Sequence, residues 1–257
     1  LLPQARDFLG DDVQLVVEGE SAADGSLTLD ALSVRAAAVR LNGSLVLGPD
    51  GRPDRFDLNG DIADPEGEPV TLPFGDAIRL QEATISARFD AAESDGVTAE
   101  VLMTGFAQPG LSLERARLGI SGDIVTEGTP SVDIRLQSDL GGLTVDDPGL
   151  QEALGNEVTA SAQVNWISGG EVNLRDLNLE GSNYNAQMDA TLTPGGGTSI
   201  LTAAGRAAFE DLSRLTQLSG LDLSGSADLG FDVSMDLLGG SFAVSAEGGT
   251  NDLALGI

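Results

Sequence analysis

Two pairs of adjacent carboxylates, Asp11-Asp12 and Asp146-Asp147, are the first residues whose type and spacing suggest an ion site. Clustered carboxylates can hold calcium through their oxygens, but the spacing of an EF-hand loop is missing, and so is the Gly-Gly-x-Gly-x-Asp repeat of calcium β-rolls. Each pair stands beside a short predicted helix, Asp11-Asp12 behind one and Asp146-Asp147 ahead of another, so helix capping and solvation account for them. Paired carboxylates also cleave glycosides, yet nothing in the sequence gathers two of them in a pocket. The run Gly195-Gly196-Gly197 follows one strand pattern and leads into another. It lacks the helix start that a phosphate loop requires, and it reads as a flexible turn. Trp166 and Tyr184 are the only residues of their kinds. Each is in phase with the apolar face of its strand, which points to packing or groove lining rather than to a stacking site. The chain has no Cys and no His, which removes thiol nucleophiles, imidazole bases, mixed Cys/His zinc sites and disulfides. The expectation is a protein that is not an enzyme and takes no cofactor and no metal.

Charge sorts the partners. Forty-one acidic residues against 13 basic ones, all of them Arg, give a net charge of −28 over 257 residues. Nucleic acid is excluded as a partner, because its affinity comes largely from phosphate neutralisation. Adsorption to an anionic bilayer surface is disfavoured for the same reason. Hydrophobic residues make up 41%, but aromatics only 4%, so any apolar surface is built of Leu, Val, Ile and Ala. No run approaches the roughly 20 apolar residues of a membrane span. A cysteine-free chain suits the cytosol and the periplasm equally. The chain starts at Leu1 and carries no signal peptide, and it reads as an internal piece of a longer protein.

The elements that would position these residues are mostly strands. Period-2 alternation runs through Val39-Leu41-Gly43-Leu45-Leu47, Val97-Ala99-Val101-Met103 and Val132-Ile134-Leu136. It continues through Val158 to Trp166, Tyr184 to Leu192 and Phe242 to Ala246. One face of each is apolar and the other wet, as in antiparallel sheets. Pro49-Asp50-Gly51, Pro65-Glu66-Gly67, Pro194 with the glycines after it, and Gly239-Gly240 punctuate the strands. Short helices are expected near residues 3–9, 148–154 and 208–218. In the second, Asp147 is the N-cap, Pro148 the first helical residue and Gly155 the stop. In the third, Phe209, Leu212, Leu215 and Leu218 share a face, with Glu210 and Asp211 in the first turn and Gly220 after the end.

Shifting the chain by 145 positions lays its first part on its second without gaps. Pro3 falls on Pro148, Gly10 on Gly155, Val13 on Val158, Leu29 on Leu174, Pro49 on Pro194 and Gly60 on Gly205. We expect two tandem units, about 3–147 and 148–257, that form one elongated segment. Within them an apolar-x-apolar-x-x-apolar-x-apolar motif recurs at Leu27-Leu29-Leu32-Val34, Ile78-Leu80-Ala83-Ile85, Leu111-Leu113-Ala116-Leu118 and Val172-Leu174-Leu177-Leu179. Its three-residue step would turn half of each set into water. A bulge at the middle residues, Asp30-Ala31 or Arg175-Asp176, restores the face and bends the strand. Bent strands curve a sheet, and a curved sheet with an apolar inner face is a trough. About fourteen strands spaced roughly 4.8 Å apart would extend some 65 Å if they stack along one axis.

The Pro-x-x-x-x-x-Leu-Gly helix stop, the Leu-x-Leu-x-x-Leu-x-Leu strands and the segment Asp211-Leu212-Ser213-Arg214-Leu215 leading into Leu221-x-Leu223-x-Gly225 together resemble the repeats of the TamB family. These are the inner-membrane-anchored subunits of the translocation and assembly module, in the AsmA-like superfamily of bridge-like lipid transfer proteins. The resemblance covers nearly the whole chain, and its specificity lies in the order of common residues. It implies an all-β fold: an elongated, curved, U-shaped (taco-like) and mostly antiparallel β-sheet repeat with an apolar groove and a few short helices. It implies a periplasmic location, with a tether to the inner membrane through an N-terminal helix outside this sequence. It implies phospholipid acyl chains as cargo. Through other regions, it implies an Omp85-type (TamA-like) outer-membrane barrel as partner.

Two functions follow as expectations. The first is a segment of a periplasm-spanning bridge that carries phospholipid between membranes and supports outer-membrane biogenesis. Its groove would be lined by Leu27, Leu29, Val39, Leu41, Leu45, Val101, Met103, Val172, Leu174, Ala186 and Met188. The second is a structural or adhesive exported β-solenoid, with a filled interior and shorter, more regular coils. A chaperone-like scaffold for outer-membrane protein or autotransporter assembly is a further alternative to the first.

Overall fold

The computed structural model describes residues 8–10, 12–75, 77–126, 128–195 and 199–256, with the side chains of 255 and 256 left aside. Among the described residues the chain is nearly all strand, and the strands pair antiparallel throughout. Its contacts divide it into two units, residues 1–130 and 131–257.

The first unit holds β1 (Gln14–Ser21), β2 (Leu27–Arg35), β3 (Val39–Leu47), β4 (Pro53–Ala63), β5 (Val70–Thr71), β6 (Arg79–Leu80), β7 (Glu82–Asp90), β8 (Ser94–Gln108) and β9 (Leu111–Val125). Its long strands pair in the order β1-β2-β3-β4-β7-β8-β9, while β5 and β6 form a small hairpin between β4 and β7. The second unit holds β10 (Ser131–Gly141), β11 (Thr144–Val145), helix α1 (Pro148–Leu154), β12 (Glu157–Ile167), β13 (Val172–Gly181), β14 (Tyr184–Pro194) and β15 (Ser199–Phe209). A 3-10 turn (Leu212–Leu215), helix α2 (Thr216–Ser219), β16 (Asp222–Asp236) and β17 (Phe242–Gly256) follow. Its long strands pair in the order β10-β12-β13-β14-β15-β16-β17.

The expected bulges form in β2 and β13. Leu29 faces Leu45 and Leu32 faces Gly43, so Asp30 and Ala31 stand against one residue of β3. Leu174 faces Ala190 and Leu177 faces Met188, so β13 has its extra residue at the matching place. There Asp176 adopts a φ of 50° and its N–H donates to Asp189 Oδ1 at 2.8 Å. The other two motifs solve the same problem differently. Between Leu80 and Ala83 the strand breaks, with Gln81 N–H donating to Thr104 O. In β9 the pairing with β8 keeps one register through Leu113 and Ala116. Both strands change face there together, with Gly105 at a φ of 61°.

Helix α1 forms as the sequence predicts. Asp147 Oδ1 accepts from Leu150 N–H at 2.8 Å, Pro148 opens the helix, and Gly155 closes it at a φ of 75°. Near the N-terminus only Phe8 and Leu9 are described as helical, followed by Gly10 at a φ of 72°; residues 3–7 of the predicted helix lie outside the described residues. The predicted helix over 208–218 is a correction. β15 runs on through Phe209, because Ala207 and Phe209 continue the period-2 face against Leu229 and Ala227. Helical turns begin only after Asp211, which caps Ser213 N–H at 2.9 Å, and they end at Gly220 with a φ of 70°. Pro49 sits in a turn, whereas Pro194 is the last residue of β14 and pairs with Ser199. The expected equivalence of these two prolines as turn residues therefore fails.

The buried core is small. In the first unit Phe8, Ala38, Val70, Leu72, Leu80 and Ala83 pack together, joined by Leu9, Val39, Ile62, Ile78 and Met103. This cluster sits where the β5–β6 hairpin and the Phe8-Leu9 segment meet one end of the strands.

Candidate functional site: an apolar sheet face

Registry converts the period-2 pattern into continuous apolar rows. In the second unit one row runs Ile134, Val164, Leu174, Ala190, Ala203, Val233, Val244, each facing the next across a strand pair. A parallel row runs Val132, Trp166, Val172, Leu192, Leu201, Met235, Phe242. In the first unit a row runs Val34, Leu41, Gly60, Ile85, Val101, Leu118. Beside it run Leu29, Leu45, Phe56, Phe89, Val97 and Gly122. None of these positions carries a charge. The intervening residues, such as Asn185, Gln187, Asp189 on β14 and Asp228, Asp232, Ser234 on β16, make the opposite face polar.

These apolar rows are only partly covered. Most of their side chains are half-buried, and Ile85, in mid-strand, keeps 37% of its surface. A sheet face packed against a second layer would be sealed over the same stretch. The coverage that exists is local. Phe89, 1% exposed, packs against Phe56 with ring centroids 5.6 Å apart.

All eleven residues singled out by sequence lie on these faces, and all are half-buried. In the first unit Leu27, Leu29, Val39, Leu41, Leu45, Val101 and Met103 come together. In the second, Val172, Leu174, Ala186 and Met188 do. Two of them differ from the rest: Val39 and Met103 pack against the buried Phe8–Leu80 cluster, so they close one end of the face. In the second unit the position equivalent to Val39 is Tyr184, which is buried and does the same work with other partners. Its hydroxyl donates to Leu154 O at 3.2 Å, its ring lies 6.2 Å from that of Phe209, and the Arg214 guanidinium sits 4.8 Å above it. Arg214 also donates to Glu152 O at 3.3 Å, tying α1 to the 3-10 turn. Burial pushes the Tyr184 phenol up, with the Arg214 charge opposing. Arg214 was not legible as a site residue; a lone Arg near a helix end gives no signal until its aromatic partner is placed.

The chemistry-bearing candidates fall elsewhere. Asp147 is spent on capping α1. Asp12 is exposed, and Asp11 lies outside the described residues, as do Gly196 and Gly197. Gly195 follows the end of β14 in the connection to β15. Trp166 is half-buried between Val132 and Val172 on the apolar face. Among the described residues no group of three or more acidic side chains is placed to hold a metal ion. The Asp211 carboxyl is held below its ordinary range by the Ser213 backbone and side-chain hydrogen bonds, with a smaller contribution from Arg214. Among the described residues no helix is long and apolar enough to cross a membrane. The chain matches no protein-family model, no curated protein and no solved structure.

Proposed function

We propose that the apolar sheet faces bind lipid acyl chains, and that the chain is a segment of a bridge conducting phospholipid across the periplasm between the inner and outer membranes. The observation that supports this is the charge-free, half-covered apolar surface running across consecutive strands, backed by a strongly acidic polar face. Covering such rows with a sixteen-carbon chain gains on the order of 12 kcal/mol relative to water, at roughly 0.8 kcal/mol per CH₂. A bilayer offers a similar gain, so lipid can enter the groove and leave it. Small residues within the rows, Ala190 and Ala203, leave room for chains. The bridge setting, the inner-membrane tether and the outer-membrane barrel partner rest on the resemblance to TamB-type repeats.

Incubating the purified chain with phospholipid vesicles, then separating protein from vesicles, tests the reading. Phospholipid should travel with the protein. Recovery of lipid-free protein at every lipid concentration would leave the surface as the lining of a structural stalk.

A further inference from the structure

Coverage of the first unit's apolar face changes in step along β7, β8 and β9. Where the Phe8–Leu80 cluster closes the face, Ala83 faces Met103 and Met103 faces Ala116, and both alanines are buried. Next along the same face, Ile85, Leu118 and Ile120 each keep 37% of their surface. Between them Ala87 faces Ala99, and both are half-buried. At the far end Phe89 faces Val97, and both are buried again. There the Phe56 ring lies against that of Phe89, with centroids 5.6 Å apart. The three strands thus frame a window, open on one side and sealed at both ends. Ala83 and Phe89 are separated by roughly 20 Å along β7, at ~3.4 Å per residue. Less the side chains at its two ends, the window has the ~15 Å that an acyl chain spans as half of a bilayer's ~30 Å hydrocarbon core.

Resting on the acyl-chain reading above, we propose that one acyl chain lies along β7 in this window and that the Phe56–Phe89 pair is the stop that limits its length. The residues that frame the window are uncharged, so the part of the occupant that enters it is uncharged too. A second copy of the protein would bring another net charge of −28 against the first. A polypeptide strand would bring polar main-chain groups that the apolar side chains cannot satisfy. A run of CH₂ groups meets neither obstacle. Each CH₂ inside the window leaves water, whereas any beyond the aromatic pair stays in it, so the pair selects by chain length. In the second unit the same row places Ala203 and Val233 where the first has Phe56 and Phe89. The stop therefore belongs to the first unit.

The chain has no native Cys, so Ile85→Cys alkylated with a small trifluoromethyl group puts a single fluorine NMR reporter in the window. The full chain is titrated with monomeric monoacyl phosphatidylcholines of increasing acyl length, whose zwitterionic headgroup carries no net charge for the acidic protein to repel. Affinity should climb about fourfold per added CH₂ and level off once the chain reaches the stop. Adding Phe89→Leu should move the plateau to longer chains. Adding Ala87→Phe, which fills the window and leaves the stop in place, should move it to shorter ones, and this variant decides the question if Phe89→Leu fails to fold. Affinity that climbs without a plateau, or a plateau that neither substitution moves, would overturn the stop and leave the acyl-chain reading standing. A reporter that responds to no lipid would overturn both for this face. A signal that shifts with protein concentration alone would overturn the proposal by assigning the window to a second copy of the chain.

Discussion

At the scale of single residues, which side of the pleat a side chain occupies should decide its effect. Ala186 and Gln187 are neighbours in β14, one on the apolar face and one on the polar face. Ala186→Arg should reduce the lipid carried per protein several-fold, because an unpaired charge in an apolar groove costs several kcal/mol and draws in water. Gln187→Arg should leave lipid content unchanged, and thermal melts of both variants should stay close to wild type. Leu41→Asp should behave like Ala186→Arg in the first unit. Gly205 has a different reason for its identity. A Cβ there would meet the Gln187 carbonyl, Met188 Cα at 3.1 Å and the Phe231 ring. Gly205→Leu should therefore lower stability by about 1–3 kcal/mol, measured by urea unfolding. The polar turns carry a pH signature. Asp236 accepts backbone hydrogen bonds from Gly239 and Leu238, which hold its carboxyl below the ordinary 3.8. A depressed folded pKa stabilises above the unfolded value and loses that contribution as pH falls through the folded one. The stability gap between wild type and Asp236→Ala should thus be full above pH 3.8 and shrink below it.

At the scale of elements, the local rules were legible wherever one residue type forces one geometry. Asp147-Pro148 and Gly155 marked α1 at both ends, and Asp147→Ala should cost about 1 kcal/mol by removing the cap. The three-residue step in Leu29-Leu32 and Leu174-Leu177 announced the two bulges, because an extra residue keeps both halves of those strands on one face. Asp176 pays backbone strain in the second bulge at a φ of 50°. Asp176→Gly should be neutral or stabilising by up to ~1 kcal/mol in the same unfolding assay. The stretch from Phe209 to Leu218 misled for a physical reason. Apolar residues three apart suit one helical face, but Phe209 also completes the alternating row of β15, and pairing with β16 wins. The twin kink of β8 and β9 was illegible because it lies in two strands at once, and neither sequence shows that its partner bends with it.

At the scale of the molecule, the repeat carried the most information and hid the most. It placed β1 to β3 on β12 to β14 in the same pairing registers, although β15 pairs with β14 two residues away from the register that β4 keeps on β3, and it put a closing group at the same end of both faces. It could not show that this group is an aliphatic cluster around Phe8 and Leu80 in the first unit and an Arg214–Tyr184 stack in the second. Those solutions depend on segments outside the repeat, the β5–β6 hairpin and the 3-10 turn. Nor could sequence show how little of the apolar surface is sealed, since alternation looks the same in a packed sandwich and in an open groove. The central claim is that this surface is left open for acyl chains. Mass spectrometry of lipids co-purifying with the chain from a bacterial host tests it most directly. The account predicts bound phospholipid, lost selectively in Ala186→Arg and retained in Gln187→Arg. Protein that emerges free of lipid, or lipid retained equally by both variants, would contradict it.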